Sequence, residues 1–338
     1  MKFSVGYQLT KNGSFTAAVK ENRDKIGEIY FALPEFANGR NGRSVETELT
    51  DYEYRERMET ELRELSALNI PFNWLLNAEC YSRHAQSRAF FNNIGNTADY
   101  LISRYGLKSV TTTSPLIAKF FKQNFPETDV RASVNMEIGT AVGMDYIAEY
   151  FDSFYLKREY NRDFGKIAEI KGWCADNGKR LFGLANSGCL NYCSVHTFHD
   201  NLVAHENEAA EMDNAYQFEG QCRIYLKNGE KRKKWLSISN FIRPEDAALY
   251  EGLFDGLKLA TRVNRNAAGV IRAYCCGSYS GNLPGLLEPD HSALFYPAVI
   301  ENKKIPDDFG VKTASCDKRC EKCGYCEKAL ANALLCLE

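Results

Sequence analysis

Eight short apolar runs, each followed by an amphipathic or charged stretch, order the first three quarters of this chain. They occupy residues 2–9, 27–33, 71–78, 108–114, 129–135, 153–159, 179–185 and 255–261. Runs of this length, rich in β-branched and aromatic residues and bounded by turn residues, are strands. The stretches between them carry helical periodicity. Leu62, Leu65 and Leu68 fall on one side of the charged segment 46–68, and further helices are expected over 15–26, 85–105, 163–177 and 264–274. Strand–helix alternation implies parallel pairing through right-handed crossovers. Eight such units in about 275 residues match an α/β chain closed into a (β/α)8 TIM-like barrel. A doubly wound open sheet is the alternative fold. No GxGxxG follows the first strand, so nothing specific supports dinucleotide binding.

Two segments depart from the alternation. CRIYLKNGEKRKKWLSISN (222–240) sets Asn228-Gly229 between two strand-like runs, which predicts a hairpin insertion over 221–240, before the last strand. Past residue 280 the chain turns irregular, with Pro284, Pro289, Pro297 and Pro306. The expected organisation is a barrel domain over 1–280 and a Cys-rich appendage over 281–338 that folds back onto it.

Composition narrows the function. The 338 residues are 44% hydrophobic and 25% charged with net charge −2, which argues against a strongly basic nucleic-acid binder. The run Lys231-Arg232-Lys233-Lys234 leaves a local RNA-contacting patch open. No apolar run reaches the length of a membrane span, and the first residues are too weakly apolar for a secretory signal, so a cytoplasmic location is expected. In a reducing compartment the twelve cysteines are not a disulfide framework, and thiol–metal chemistry is the favoured reading.

The thiols bunch in two places. In LFGLANSGCLNYCSVHTFHDNLVAH (181–205) the seventh strand opens into a loop carrying Cys189 and Cys193, with His196, His199 and His205 close behind. A CxxxC pair lets two thiolates approach one centre from a single loop, and Cys222 can close over it. An iron–sulfur cluster is favoured because cysteines are abundant. Zinc held by Cys189, Cys193, His196 and His199 is the alternative. The tail carries Cys316, Cys320, Cys323 and Cys326 in CxxxCxxCxxC spacing, a metal-binding pattern that suits a second cluster or zinc.

Functional residues of a parallel barrel lie just past the strand ends. Here those positions hold Glu35, Asn38 and Arg40, then Asn77, Glu79 and Cys80, then Ser114, Asn135 and Glu137. Arg158, Glu159, Asn186, Arg262 and Asn264 complete the rim, which reads as the lining of a cavity for a polar, anionic ligand. His199 and His205 are acid–base candidates on the helix after the Cys-rich loop. For a thiol nucleophile the local pair is Cys80 with His84. No Ser-His-Asp order or HExxH motif supports hydrolysis.

Several stretches together resemble one family. LYEGLFDGLKLATR (249–262) resembles its closing strand, which usually runs glycine, two apolar residues, then Lys-Ile-x-Gly-Arg; here Leu259-Ala260-Thr261-Arg262 lacks that glycine. SISNFIRPEDAAL resembles the segment before it, and YLKREYN (155–161) the Arg-Glu signature of the sixth strand. With the Cys-rich loop, these resemble the collagenase-like peptidase family U32 over roughly residues 1–275. The resemblance implies a (β/α)8-like barrel and a four-iron, four-sulfur cluster. It implies oxygen-independent hydroxylation, as in anaerobic ubiquinone synthesis and in tRNA or ribosomal RNA modification, with prephenate a hydroxyl donor in several cases. It makes Cys189, Cys193 and Cys222 cluster ligands with the fourth open, and Arg158, Glu159 and Arg262 pocket residues. The expected function is thus hydroxylation or related modification of a small molecule or RNA, with Arg158, Glu159 and His199 as catalytic candidates. A collagenase-like peptidase is one alternative. A non-catalytic iron–sulfur partner or electron-transfer subunit, working with a protein of the same family, is another.

Overall fold

The computed structural model describes residues 1–39, 49–210, 212 and 218–336. The eight apolar runs are the strands of a closed barrel, paired in chain order from β1 to β8 with every pair parallel. They are β1 (Phe3–Gly6), β2 (Ile26–Phe31), β3 (Phe72–Leu76), β4 (Leu107–Thr112), β5 (Asp129–Ala132), β6 (Ser153–Tyr155), β7 (Arg180–Leu184) and β8 (Gly256–Leu259). Closure comes from β1 against β8, with Phe3 opposite Leu257 and Val5 opposite Leu259. β1, β3, β6 and β8 are buried at every position, as parallel strands covered on both faces must be.

The helices start where the side chains can cap them. Thr50 and Glu53 form a reciprocal capping box ahead of Asp51–Ser66, and Ser87, Asp163 and Asn266 each accept a backbone N–H at a helix start. Leu62 and Leu65 are buried, as their spacing predicts. Trp74 of β3 sits between Phe36 and Phe121, edge-on to both, in the layer joining barrel to helices.

The N-terminal end of the barrel is filled by ions. Arg131 of β5 donates two bonds to Glu28 of β2, at 2.9 and 3.0 Å, and one to Asp129 at 2.8 Å. Its guanidinium lies 3.9 Å from the Phe182 ring centroid, and Asn73 and Ser109 complete the shell of Glu28. A buried pair satisfied in this way specifies which strands meet, and loss of one partner would cost about 3–5 kcal/mol.

The segment expected to be a hairpin is helical instead, over Gln221–Lys227, Gly229–Arg232 and Trp235–Ile238. Asn228 is not a turn residue there: its side chain accepts the Lys231 N–H at 3.1 Å and caps the next helix. Leu226, Trp235 and Leu236 are the buried positions, a spacing that serves helices and not a two-residue repeat. Arg40 and the first residues of the 46–68 segment lie outside the described residues.

Residues after 280 lie against the β7 end of the barrel. The backbones of Gly188 and Glu288 are joined at 2.8 Å and those of Glu288 and Asn186 at 3.0 Å. A short antiparallel pair, β9 (Ala298–Ile300) with β10 (Leu334–Cys336), ties the tail to this segment. No helix among the described residues is long and apolar enough to cross a membrane.

Candidate functional site

The turn after β7 is held rigidly by one side chain. Asn186 accepts the Ala260 N–H at 2.6 Å and donates to the carbonyls of Ala260 and Leu286, at 2.9 and 2.8 Å. It thereby clamps the ends of β7 and β8 to the segment after residue 280. Gly188 follows at a place where only hydrogen fits, since a Cβ there would fall 2.0 Å from the Pro289 carbonyl oxygen.

Beyond this turn Cys189, Cys193, Cys222 and His199 line one cavity of about 470 Å³. Its far wall is made by Val263–Arg265 and by residues of the 285–293 segment, and Arg223 and Arg265 bring positive charge to it. Burial, followed by the neighbouring Cys189 and Cys193 sulfurs, pushes the Cys222 thiol up to about 11. The three thiols therefore share one neighbourhood, although they arrive from a loop and from a helix about thirty residues on. Among the described residues no three His, Cys, Asp or Glu side chains close around a single ion, so the trio rings a space and does not grip a point. Three cysteine sulfurs around a lined cavity are a donor set that fits the iron–sulfur group the family resemblance implies.

An ionic cluster adjoins the thiols. Arg158 donates to Cys189 Sγ at 3.4 Å, and its other terminal nitrogen lies 2.5 Å from His196 Nε2. The same imidazole meets Glu137 at 3.2 Å through Nδ1 and Asp200 at 3.2 Å through Nε2. Lys157 stands 3.6 Å from Glu137. Glu79, at the end of β3, is pushed up to about 7 by burial and then by the charges of Asp200 and Glu137, against the pull of Arg158. A carboxyl poised there can take or give a proton near neutral pH.

Inside the barrel Lys258 of β8 is buried, its ammonium 4.2 Å from the centroid of Tyr30 and 5.3 Å from that of Tyr155. Burial and then the charge of Arg262 push it down to about 7, with Glu28 and Glu288 pulling the other way. Nothing in the residue pattern marks this lysine except its place in the closing-strand stretch 249–262, and it is a residue that sequence reasoning missed. Asp200 is another, visible only as the i+4 partner of His196.

The remaining rim candidates divide. Arg262 donates to Asn38 at 2.9 Å, and Asn77 accepts the Gly39 N–H at 3.2 Å, so these tie loop ends together. Ser114 is the N-cap of the helix Pro115–Asn124, and Glu35 pairs with Arg55. Glu159 is buried next to Arg158, and its Oε2 has no hydrogen-bond partner among the described residues. His84 is exposed, whereas His205 stands by Cys80 and favours its thiolate. The tail cysteines line a cavity of their own, apart from the rim trio.

No family model matches the chain. It is 27% identical over 324 residues to the uncharacterized protease MJ1657 of Methanocaldococcus jannaschii, covering 93% of this chain and 91% of that protein. The solved structure of the U32 peptidase Mk0906 shares the fold, with a TM-score of 0.54 at 14% identity over 76% of this chain and 91% of the other. The barrel shared with this U32 peptidase agrees with the resemblance of the stretches 155–161 and 249–262 to the peptidase U32 family.

Proposed function

We propose that this protein is an iron–sulfur enzyme that hydroxylates, or otherwise modifies, a small anionic substrate or RNA without dioxygen. The observation that carries the reading is the meeting of Cys189, Cys193 and Cys222 on one cavity at the C-terminal rim, beside Arg158 and His196. When bound by three thiolates, a four-iron cluster keeps one iron for a non-cysteine ligand and supplies electrons. The chain's own residues do the rest. Arg158 binds the Cys189 sulfur and orients it. Arg223 and Arg265 line the wall where a carboxylate or phosphate would be held in bidentate fashion. Glu79 can hold a proton near neutral pH within the same rim, and His196 meets Glu137 beside it at 3.2 Å. The test is purification without oxygen, followed by iron and sulfide analysis of the wild type and of Cys189→Ala/Cys193→Ala. Brown protein whose iron falls with the double substitution supports the reading. Colourless zinc-loaded protein, or iron indifferent to the substitutions, overturns it.

A second reading, peptide hydrolysis by a thiol, rests on a different constellation. His205 lies close enough to the Cys80 sulfur to favour its thiolate and meets Glu208 at 3.0 Å, and the Ser82 N–H donates to the same sulfur at 3.3 Å. His205, and then the bond from Ser82, lowers the Cys80 thiol, the condition for a nucleophilic thiolate. Peptide cleavage that survives removal of all metal and is abolished by Cys80→Ala would favour this reading over the first.

A further inference from the structure

The four thiols of the tail take no part in the rim site, yet the fold gathers them. Cys320 and Cys323 stand three apart in the single helical turn Cys320–Cys323, hence on one face. Gly324, at φ +63°, turns the chain at once into the helix Tyr325–Ala333, whose first turn carries Cys326. Cys316 precedes them, and Lys318, at φ +61°, donates its N–H to Cys316 Sγ at 3.2 Å. Cys316, Cys320, Cys323 and Cys326 all line one cavity of about 560 Å³, with Ser237 and Tyr325 among its walls.

A buried arginine stands behind this cavity, outside its lining. Arg162 is buried nearby, 8% exposed, and donates to the carbonyls of Phe241 and Leu236, each at 2.9 Å. Its Nη2 has no hydrogen-bond partner, and no carboxylate forms an ion pair with it among the described residues. Asp246 is held in bidentate fashion by Arg243 at 2.7 and 2.9 Å. The Phe241 and Phe309 rings lie 4.5 and 5.0 Å from this guanidinium of Arg162, but a buried guanidinium facing no carboxylate is still costly. Leu236, one of its carbonyl partners, adjoins Ser237 of the cavity wall. An iron–sulfide core with its four thiolates is an anion as a whole and would give that guanidinium the counter-charge it lacks.

We propose that Cys316, Cys320, Cys323 and Cys326 ligate a second iron–sulfur cluster, of the four-iron type, whose negative charge is met by Arg162. The inference stands whether or not the rim trio binds a cluster. Four thiolates occupy every iron, so this centre has no position for substrate, unlike one held by Cys189, Cys193 and Cys222. The ring of sulfurs around a roomy cavity suits a multi-iron core better than a single zinc ion with thiolates drawn in to about 2.3 Å.

The test uses the full chain carrying Cys189→Ala, Cys193→Ala and Cys222→Ala, reconstituted without oxygen with ferrous iron and sulfide. The expected result is about four iron and four sulfide per chain, lost when Cys320→Ala and Cys323→Ala are added. If the added substitutions prevent folding, judged by circular dichroism, alkylation of the rim variant decides. Tail cysteines protected from iodoacetamide until a chelator strips the iron support the proposal. Tail cysteines that react at once overturn it. A rim variant without iron, or loaded with zinc alone, overturns it too. Iron that vanishes with the rim trio but not with the tail pair would uphold the rim reading and sink this one.

Discussion

Gly188→Ala tests whether the clamp behind the thiol cavity is as tight as it looks. The added methyl would stand 2.0 Å from the Pro289 carbonyl oxygen, over an ångström inside contact distance, and the obstacle is backbone that cannot rotate away. Relief requires the 285–293 segment to move off the β7 turn. That movement stretches the bond from the Gly188 N–H to the Glu288 carbonyl (2.8 Å) and the one from His291 Nε2 to the Gly188 carbonyl (2.9 Å). Two hydrogen bonds at about 1 kcal/mol each, plus overpacking strain of about 1–3 kcal/mol, sum to a loss of about 3–5 kcal/mol. Gly172→Ala, mid-helix with nothing within 4 Å of the new methyl, serves as the control and should gain about 0.5–1 kcal/mol. Urea titrations of both variants and the wild type read the difference directly. If Gly188→Ala unfolds within about 0.5 kcal/mol of the wild type, the segment is not clamped and the cavity wall is not what we describe.

Three further substitutions probe the charged groups. Arg131→Met strands Glu28 in the barrel floor, while Asp129 keeps Arg180, and should cost about 3–5 kcal/mol in the same urea assay, with a near-neutral result refuting the floor network. Glu79 binds its proton more tightly folded than unfolded, so stability falls as pH rises from about 4.5 to about 7; Glu79→Gln should match the wild type in melting temperature at pH 4 and exceed it at pH 8. Lys258 has the opposite sign: the unfolded chain holds the proton more tightly, so stability rises from about pH 7 towards 10.5, and Lys258→Met should flatten that rise. An unchanged slope in either variant would show that the group does not titrate as its surroundings dictate.

The barrel was legible because parallel strands buried on both faces write themselves as unbroken apolar runs, and all eight lie within the stretches read as strands or a residue outside them. The 221–240 segment was misread because Asn-Gly serves two local structures. What decides between turn and cap is whether a partner strand is available, and that is tertiary information. Here Trp235 finds Phe241 and Phe295 at 5.4 and 5.5 Å, burial that a helix supplies and a rim hairpin would not. That Cys189 and Cys193 share one loop could be read from spacing, and Cys222 joins them on the wall of one cavity. Lys258 could not be read in this way. A lysine in a strand reads as solvent-facing until the barrel closes around it with Tyr30 and Tyr155. The link between Glu28 and Arg131 spans 103 positions, and no local pattern announces it.

The two ends of the barrel differ in a way that bears on function. At the N-terminal end the ions are answered: Glu28, Asp129 and Arg131 all meet partners, with Asn73 and Ser109 filling the remaining positions. At the C-terminal rim the accounting is left open. Glu79 Oε1, Arg158 Nε and Glu159 Oε2 are buried and have no hydrogen-bond partner among the described residues. An orphaned buried polar atom is expensive, and a fold that satisfies such groups at one end has no stability reason to leave them at the other. Groups of both signs left unpartnered beside the Cys189 loop are what a polar ligand would complete, and they stand where a parallel barrel does its chemistry. The Arg158 contact to Cys189 carries this unfinished polarity to the thiols. Ligand binding at the rim and metal binding by the trio should therefore be coupled, and a substitution at Arg158 should disturb both.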